Sequence, residues 1–171
     1  VKDTDDAEVA LTPLDRVTEA LEEIEDNLAA ELLVQLQSSS PHFFEKVVID
    51  LLLSMGYGAG DNNAGQVIGK AGDDGVDGLV NQDALGLERV YIQAKRYQQE
   101  NTVSADAVRS FTGALNVQQA VKGLFVTTSS FSKQAITTAE RVPQRIVLID
   151  GNTLSRLMIK YEVGCISKKT L

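Results

Sequence analysis

Gly75-Val76-Asp77-Gly78-Leu79-Val80 and, further along, Val90-Tyr91-Ile92-Gln93-Ala94-Lys95 are the two stretches that decide the fold. Both read as strands, rich in branched apolar residues. Each also carries polar side chains where packing alone favours something else. Asp77 follows Val76 and precedes Gly78, Leu79 and Val80, and a carboxylate inside a strand entering the core is poor strand material. The flanking glycine points to close approach of a ligand or another backbone. In the second stretch, alternation puts Val90, Ile92 and Ala94 on one face and Tyr91, Gln93 and Lys95 on the other. The strand rise sets Gln93 and Lys95 about 7 Å apart. One face thus offers an amide oxygen and an ammonium side by side, although a lone Gln-x-Lys also arises by chance on exposed strands.

Outward from these stretches the pattern predicts short strands at about 66–69 and 76–80, then a longer one at 88–96, with a hairpin connection over Asn81–Gly86. After Asn101 the rhythm becomes helix 103–120, strand 123–128, helix 131–141, strand 145–149 and helix 151–161. Leu124-Phe125-Val126 and Ile146-Val147-Leu148-Ile149 are continuous apolar runs, as expected when both faces of a sheet are covered. Upstream, Ser40-Pro41 caps a helix over 41–55 that stops at Gly56, followed by a Gly/Asn/Asp-rich loop to 65. Another helix starts at Thr12-Pro13, where Leu14, Val17, Leu21, Ile24, Leu28, Leu32 and Leu36 form one apolar stripe with glutamates opposite. That helix either lies across the domain or serves a dimer or interdomain contact. The fold class is α/β, a sandwich with a mixed central sheet flanked by helices plus an amino-terminal helix. Residues 1–40 read as an acidic segment and amphipathic linker helix, with 1–10 disordered, and residues 41–171 as the body.

The composition suits one domain. The chain has 171 residues, 43% hydrophobic and 23% charged, enough to bury a core without a disulfide or structural metal. A single cysteine, Cys165, excludes an internal disulfide, and no Cys/His cluster has zinc spacing. No apolar run approaches the ~18 residues of a membrane span and no secretory signal is visible, so a reducing cytoplasm is expected. The net charge of −8 is uneven, since residues 1–40 hold Lys2 and Arg16 against eleven acids, while the remainder carries 14 basic and 13 acidic side chains. A nearly neutral body neither demands nor excludes a polyanion.

A further polar position stands out on the helix from Pro41. At 100° per residue from Phe43, Glu45 falls near about 200°, between Leu52 and Ile49 and away from the polar face of Lys46, Asp50 and Ser54. A carboxylate there is costly unless it meets a cation or donors, although the helix dipole offsets part of the cost. Curling out to water at the helix start is the alternative. Asp73 and Asp74 read as turn residues, His42 as a surface or packing residue, and Cys165 as a packed thiol. Gly69-Lys70-Ala71 lacks the glycine spacing and the following Ser or Thr of a phosphate loop. With one histidine there is no second to serve a serine triad elsewhere.

Together, Glu45 on a helix, Asp77 entering a strand, a Gln93-x-Lys95 strand sixteen residues on, and a following helix–strand unit resemble the PD-(D/E)xK nuclease superfamily. Phe43-Phe44-Glu45, Met55-Gly56-Tyr57-Gly58, Asp77-Gly78, Gln93-Ala94-Lys95-Arg96, Phe125-Val126-Thr127-Thr128-Ser129 and Leu148-Ile149-Asp150-Gly151 are more specific. They resemble the catalytic domain of Mrr-type restriction endonucleases, over about residues 12–165.

The resemblance implies a restriction-endonuclease-like fold and Mg²⁺-dependent hydrolysis of phosphodiesters in double-stranded, methylated DNA, within a type IV restriction system. It assigns Asp77 as the central ligand, Glu45 as a direct or water-mediated second carboxylate, Gln93 as an oxygen donor and the Ala94 carbonyl as a further ligand, for one ion or two. Lys95 would orient the attacking water and offset charge on the phosphorane-like transition state. Lys70 and Arg96 are candidate phosphate contacts, as are Arg109, Lys122 and Lys133, with solvated faces the alternative. Gln93 departs from the usual superfamily acid but matches the Mrr type. The resemblance further implies a DNA-recognition domain upstream of Val1 and a homodimer, because cutting both strands needs two sites. Two other functions share the fold: a DNA-binding or assembly module without turnover, and a junction-resolvase-like nuclease. Neither Asp77 nor Lys95 is expected to build the core.

Overall fold

The computed structural model describes residues 11–58, 65–67, 75–166 and 168, with Gly65–Val67 described by their backbone. The expected disorder of residues 1–10, most of the loop to 65 and the end of the first strand lie outside them. Thr12 opens α1 (Pro13–Ser38) with a reciprocal cap, accepting from the Asp15 amide at 3.2 Å while its own amide donates to the Asp15 carboxylate at 2.8 Å. Those contacts hold the Asp15 carboxyl below the usual range. Ser40 caps α2 (Pro41–Ser54), and Gly56, at φ +97°, turns the chain out of it in the left-handed region that glycine tolerates.

Five strands follow, β1 (Gly65–Val67), β2 (Gly78–Asn81), β3 (Arg89–Lys95), β4 (Lys122–Thr127) and β5 (Arg145–Ile149), lying side by side in chain order. β1–β2 and β2–β3 are antiparallel, while β3–β4 and β4–β5 are parallel, so the sheet is mixed. The Asp83 carboxylate accepts from the amides of Leu85, Leu87 and Glu88, shaping the β2–β3 connection. The parallel pairs are joined through α3 (Ala105–Val117) and α4 (Lys133–Arg141), and α5 (Gly151–Lys160) closes the described fold.

Two cores sandwich the sheet. On one face, Leu32 and Leu36 of α1, Phe44, Val48 and Leu52 of α2, and Leu154 and Met158 of α5 pack on Val80, Ile92, Ala94, Leu124 and Val126. On the other, Phe125 stands between Phe111 and Phe131 in edge-on contacts at 5.4 and 5.5 Å, with Leu115 and Val76 alongside. Tyr91 packs on this second side while Val90 and Ile92 pack on the first, the alternation expected for β3. The α/β sandwich is as the sequence indicates.

Three local readings need adjustment. The strand expected from 76 begins at Gly78, because Val76 packs in the second core and Val80 in the first, whereas a regular strand would put both on one face. The chain turns over at Asp77. The helix expected from 103 begins at Ala105, because Val103 is held in an extended bridge to Phe131 and Ser104 caps the helix; it ends at Val117, where Gln119 takes φ +53°. Finally, the α1 stripe divides. Leu32 and Leu36 are buried against the domain, while Leu14, Val17, Leu21 and Ile24 are more than half exposed.

Candidate active site

The turn of the chain at Asp77 places its carboxylate beside β3. The Asp77 amide donates to the Ile92 carbonyl at 2.8 Å, and the Asp77 carboxylate accepts the Ala94 amide, also at 2.8 Å. The side chain thus extends the ladder ahead of Gly78, where β2 begins, and one carboxylate oxygen is fixed against the strand that carries Gln93 and Lys95. Asp77 has a structural bond as well as a partly exposed charge: it stands outside the apolar cores, as expected, but it does tie the chain to β3.

Gln93 is 4% exposed, an unusual burial for a glutamine side chain. Gly75, at φ +76°, lies against it: a Cβ at Gly75 would meet both amide heteroatoms of Gln93 at 3.7 Å and the Ala114 methyl at 3.8 Å. Lys95 is half-buried and is the last residue of β3. Glu45 comes from α2, with its side chain 19% exposed and 3.5 Å from His42 Nδ1, a residue otherwise largely in solvent. Its placement matches the core-leaning position on the helical wheel rather than a carboxylate curled out to water. Burial, and then the negative charge of Asp77, push the Glu45 carboxyl above its usual range; His42 and the Lys95 ammonium pull it back. Asp77, Glu45 and Lys95 therefore share one electrostatic environment.

Two carboxylates that repel each other, with an amide oxygen and a main-chain carbonyl on β3, are the hard oxygen donors that a divalent cation takes, and such an ion would relieve the repulsion. Asp77, Glu45, Gln93 and Ala94 fit such an ion. Among the described residues no group of three or more His, Cys, Asp or Glu is placed to hold a metal, in keeping with an amide at Gln93.

Other expected contacts are placed differently. The Arg96 guanidinium donates to the Gln37 carbonyl at the end of α1, and Gln98 donates to the same oxygen at 3.3 Å. Lys122 pairs with Glu88 and Arg109 with Asp106. Lys70, Asp73 and Asp74 lie outside the described residues. The sequence reading missed the hydroxyls of Thr127, Thr128 and Ser129, buried at 0%, 0% and 7% exposure at the end of β4. The Thr-Thr-Ser run was visible, but threonine is also ordinary strand material.

A mixed sheet between two helical layers, with an acid at the β2 start and a Gln-x-Lys strand beside it, defines a restriction-endonuclease-like fold of the PD-(D/E)xK type. The DNA modification-dependent restriction endonuclease AspBHI has this fold, with a TM-score of 0.63 at 20% identity over 82% of this chain and 36% of that one. The family model of the restriction endonuclease Mrr catalytic domain matches residues 36–158, and the chain belongs to that family. It is 46% identical over 157 residues to the type IV methyl-directed restriction enzyme EcoKMrr of Escherichia coli (strain K12), covering 92% of this chain. The chain spans 50% of the length of that relative. No helix among the described residues is long and apolar enough to cross a membrane.

Proposed function

We propose that this restriction endonuclease domain hydrolyses phosphodiester bonds of double-stranded DNA with Mg²⁺, in the cytoplasm, as part of a system directed at methylated DNA. The observation that carries the reading is the Asp77 carboxylate seated on the Ala94 amide, within the electrostatic reach of Glu45 and beside the strand of Gln93 and Lys95. The reaction adds one water across a P–O bond, leaving a phosphomonoester and a hydroxyl. Asp77 and Glu45, with oxygens of Gln93 and Ala94, would hold Mg²⁺, which when bound polarises the phosphate and acidifies water. Lys95 orients the attacking water and offsets negative charge growing on the phosphate oxygens.

Choice of methylated targets is assigned in this reading to a DNA-recognition domain outside these residues, since the match covers 50% of the relative's length. Scission of both strands calls for two copies, and the exposed stretch Leu14, Val17, Leu21 and Ile24 is the surface offered to the second one. Sedimentation with bound duplex showing a strict monomer would count against that pairing.

The deciding experiment compares this chain with its Lys95→Ala variant on methylated and unmethylated plasmid, with and without Mg²⁺. Nicking or cutting that requires both Mg²⁺ and Lys95 is the expected result. The competing reading, a binding or assembly module without turnover, draws on the amide at Gln93, which contributes no negative charge. It predicts DNA retention with no cleavage at any Mg²⁺ concentration.

A further inference from the structure

Lys95 and Thr127 are register partners and the last residues of their strands. Where the main-chain ladder stops, hydroxyls take over. Thr127 Oγ1 donates to the Lys95 carbonyl at 2.8 Å, and the Thr128 amide donates to the same oxygen at 3.3 Å. A carbonyl only accepts, so the single Thr127 proton is committed there. The 3.2 Å contact between the Thr127 and Ser129 hydroxyls must then use the Ser129 proton. One residue on, Thr128 Oγ1 donates to the Tyr97 carbonyl at 2.6 Å and accepts the Tyr97 amide at 2.9 Å. Gln37 adds a tie from α1, its amide donating to the Thr128 carbonyl at 3.0 Å.

We propose that Thr127 and Thr128 are positioning residues for Lys95, fixing the backbone from which its side chain departs. The inference rests on the nuclease reading of the site. The opposite edge of β3 is fixed by the Asp77 carboxylate on the Ala94 amide, so the Ala94–Lys95 segment is held on one side by a side chain and on the other by the last rungs of the β4 ladder together with the Thr127 hydroxyl. A lysine stem is long and flexible, and where its ammonium dwells depends on where the stem is rooted. Misplacement of a catalytic group by about 1 Å costs on the order of 100-fold in rate. Valine would suit the strand as well as threonine does. What valine cannot supply is the donor to Lys95.

The test is single-turnover plasmid cleavage by Thr127→Val and Thr127→Ser across DNA and Mg²⁺ concentrations. Thr127→Val should cleave about 10–100-fold more slowly at saturation, with half-saturating DNA and Mg²⁺ unchanged, and Thr127→Ser should stay close to wild type. A valine variant that cleaves at the wild-type rate, a serine variant as slow as the valine one, or an effect confined to half-saturation overturns the proposal. Should Thr127→Val not fold, Thr128→Val, which removes the Tyr97 contacts, is judged by the same criteria. Amide exchange in wild type and Thr128→Val needs no substrate: the Tyr97 amide should be protected in the first and released in the second. If the wild-type chain cleaves nothing, the nuclease reading fails, and exchange alone decides whether the hydroxyl grip exists.

Discussion

The Asp77 carboxylate accepts the Ala94 amide at 2.8 Å, so one side chain both extends the β2–β3 ladder and fixes the acid at the centre of the site. The two duties separate on substitution. Asp77→Ala removes the charge and leaves a partly buried amide without its acceptor, an omission worth about 1–3 kcal/mol. Asp77→Asn keeps an oxygen acceptor for Ala94. Both variants should lose cleavage by at least about 100-fold, whereas only the alanine variant should unfold at clearly lower urea. Equal stability of the two would show that the Ala94 bond carries no weight in solution.

Glu45 sets a pH dependence. Its folded-state carboxyl titrates above its usual range, first through burial and then through the Asp77 charge. A raised carboxyl contributes stability that is present below the ordinary glutamate range and is lost as pH climbs through the raised value. Metal-free protein should therefore lose part of its stability across that interval, and Glu45→Gln should abolish this loss, melting no lower than wild type at pH 7. The same variant should bind Mg²⁺ about 10–100-fold more weakly, with much of the cleavage recovered at high Mg²⁺. Wild-type behaviour at every Mg²⁺ concentration would reduce Glu45 to a charge at a helix start.

Gly151 tests the scaffold behind the site. A Cβ there would lie 2.6 Å from the Thr128 carbonyl oxygen and 2.9 Å from Leu33, and the glycine amide donates to the Ser129 carbonyl at 2.8 Å. The nearest obstacle is backbone, which cannot swing aside as a flexible side chain would. Gly151→Ala should cost about 1–3 kcal/mol on unfolding and should slow cleavage beyond what the remaining folded fraction explains, because Thr128 must shift. Cleavage per folded molecule equal to wild type would separate this loop from catalysis.

Strand alternation in β3, the cap at Thr12 and the apolar run of β4 are local signals, and each was legible as such. The features that escaped depend on distant partners. The α1 stripe is uniform in sequence, yet its later members, Leu28, Leu32 and Leu36, pack on the core while Leu14, Val17, Leu21 and Ile24 stay more than half exposed; where a helix outruns its domain is decided by what lies beneath it. The reversal at Asp77 is likewise invisible locally, because Val76 and Val80 look alike and differ only in which core receives them. Arg96, from sequence either a phosphate contact or a solvated cation, donates to the Gln37 carbonyl, a bond between residues far apart in the chain. At the site, Asp77 and Lys95 stood out because packing disfavours them, whereas Thr127 and Thr128 did not, since threonine belongs in strands anyway.

Gln93 offers the most demanding prediction, because one substitution should act with opposite signs with and without metal. The side chain is 4% exposed beneath Gly75, on the face it shares with Lys95, and it adjoins in sequence the Ala94 amide that the Asp77 carboxylate accepts. Gln93→Glu is nearly isosteric, so packing against Gly75 should survive. Without divalent ions the variant places another carboxylate in a buried, already negative region, which either ionises at a cost or stays protonated with a raised pKa. Its melting temperature at pH 7 should fall below wild type, and the deficit should shrink as the pH is lowered through the carboxyl range. With Mg²⁺ the order should reverse: a third anionic oxygen tightens binding, so the variant should gain more thermal stability from Mg²⁺ than wild type does and reach half-maximal cleavage at lower Mg²⁺. If Mg²⁺ stabilises both proteins equally, the Gln93 side chain does not face the ion, and the metal donors reduce to Asp77, Glu45 and the Ala94 carbonyl.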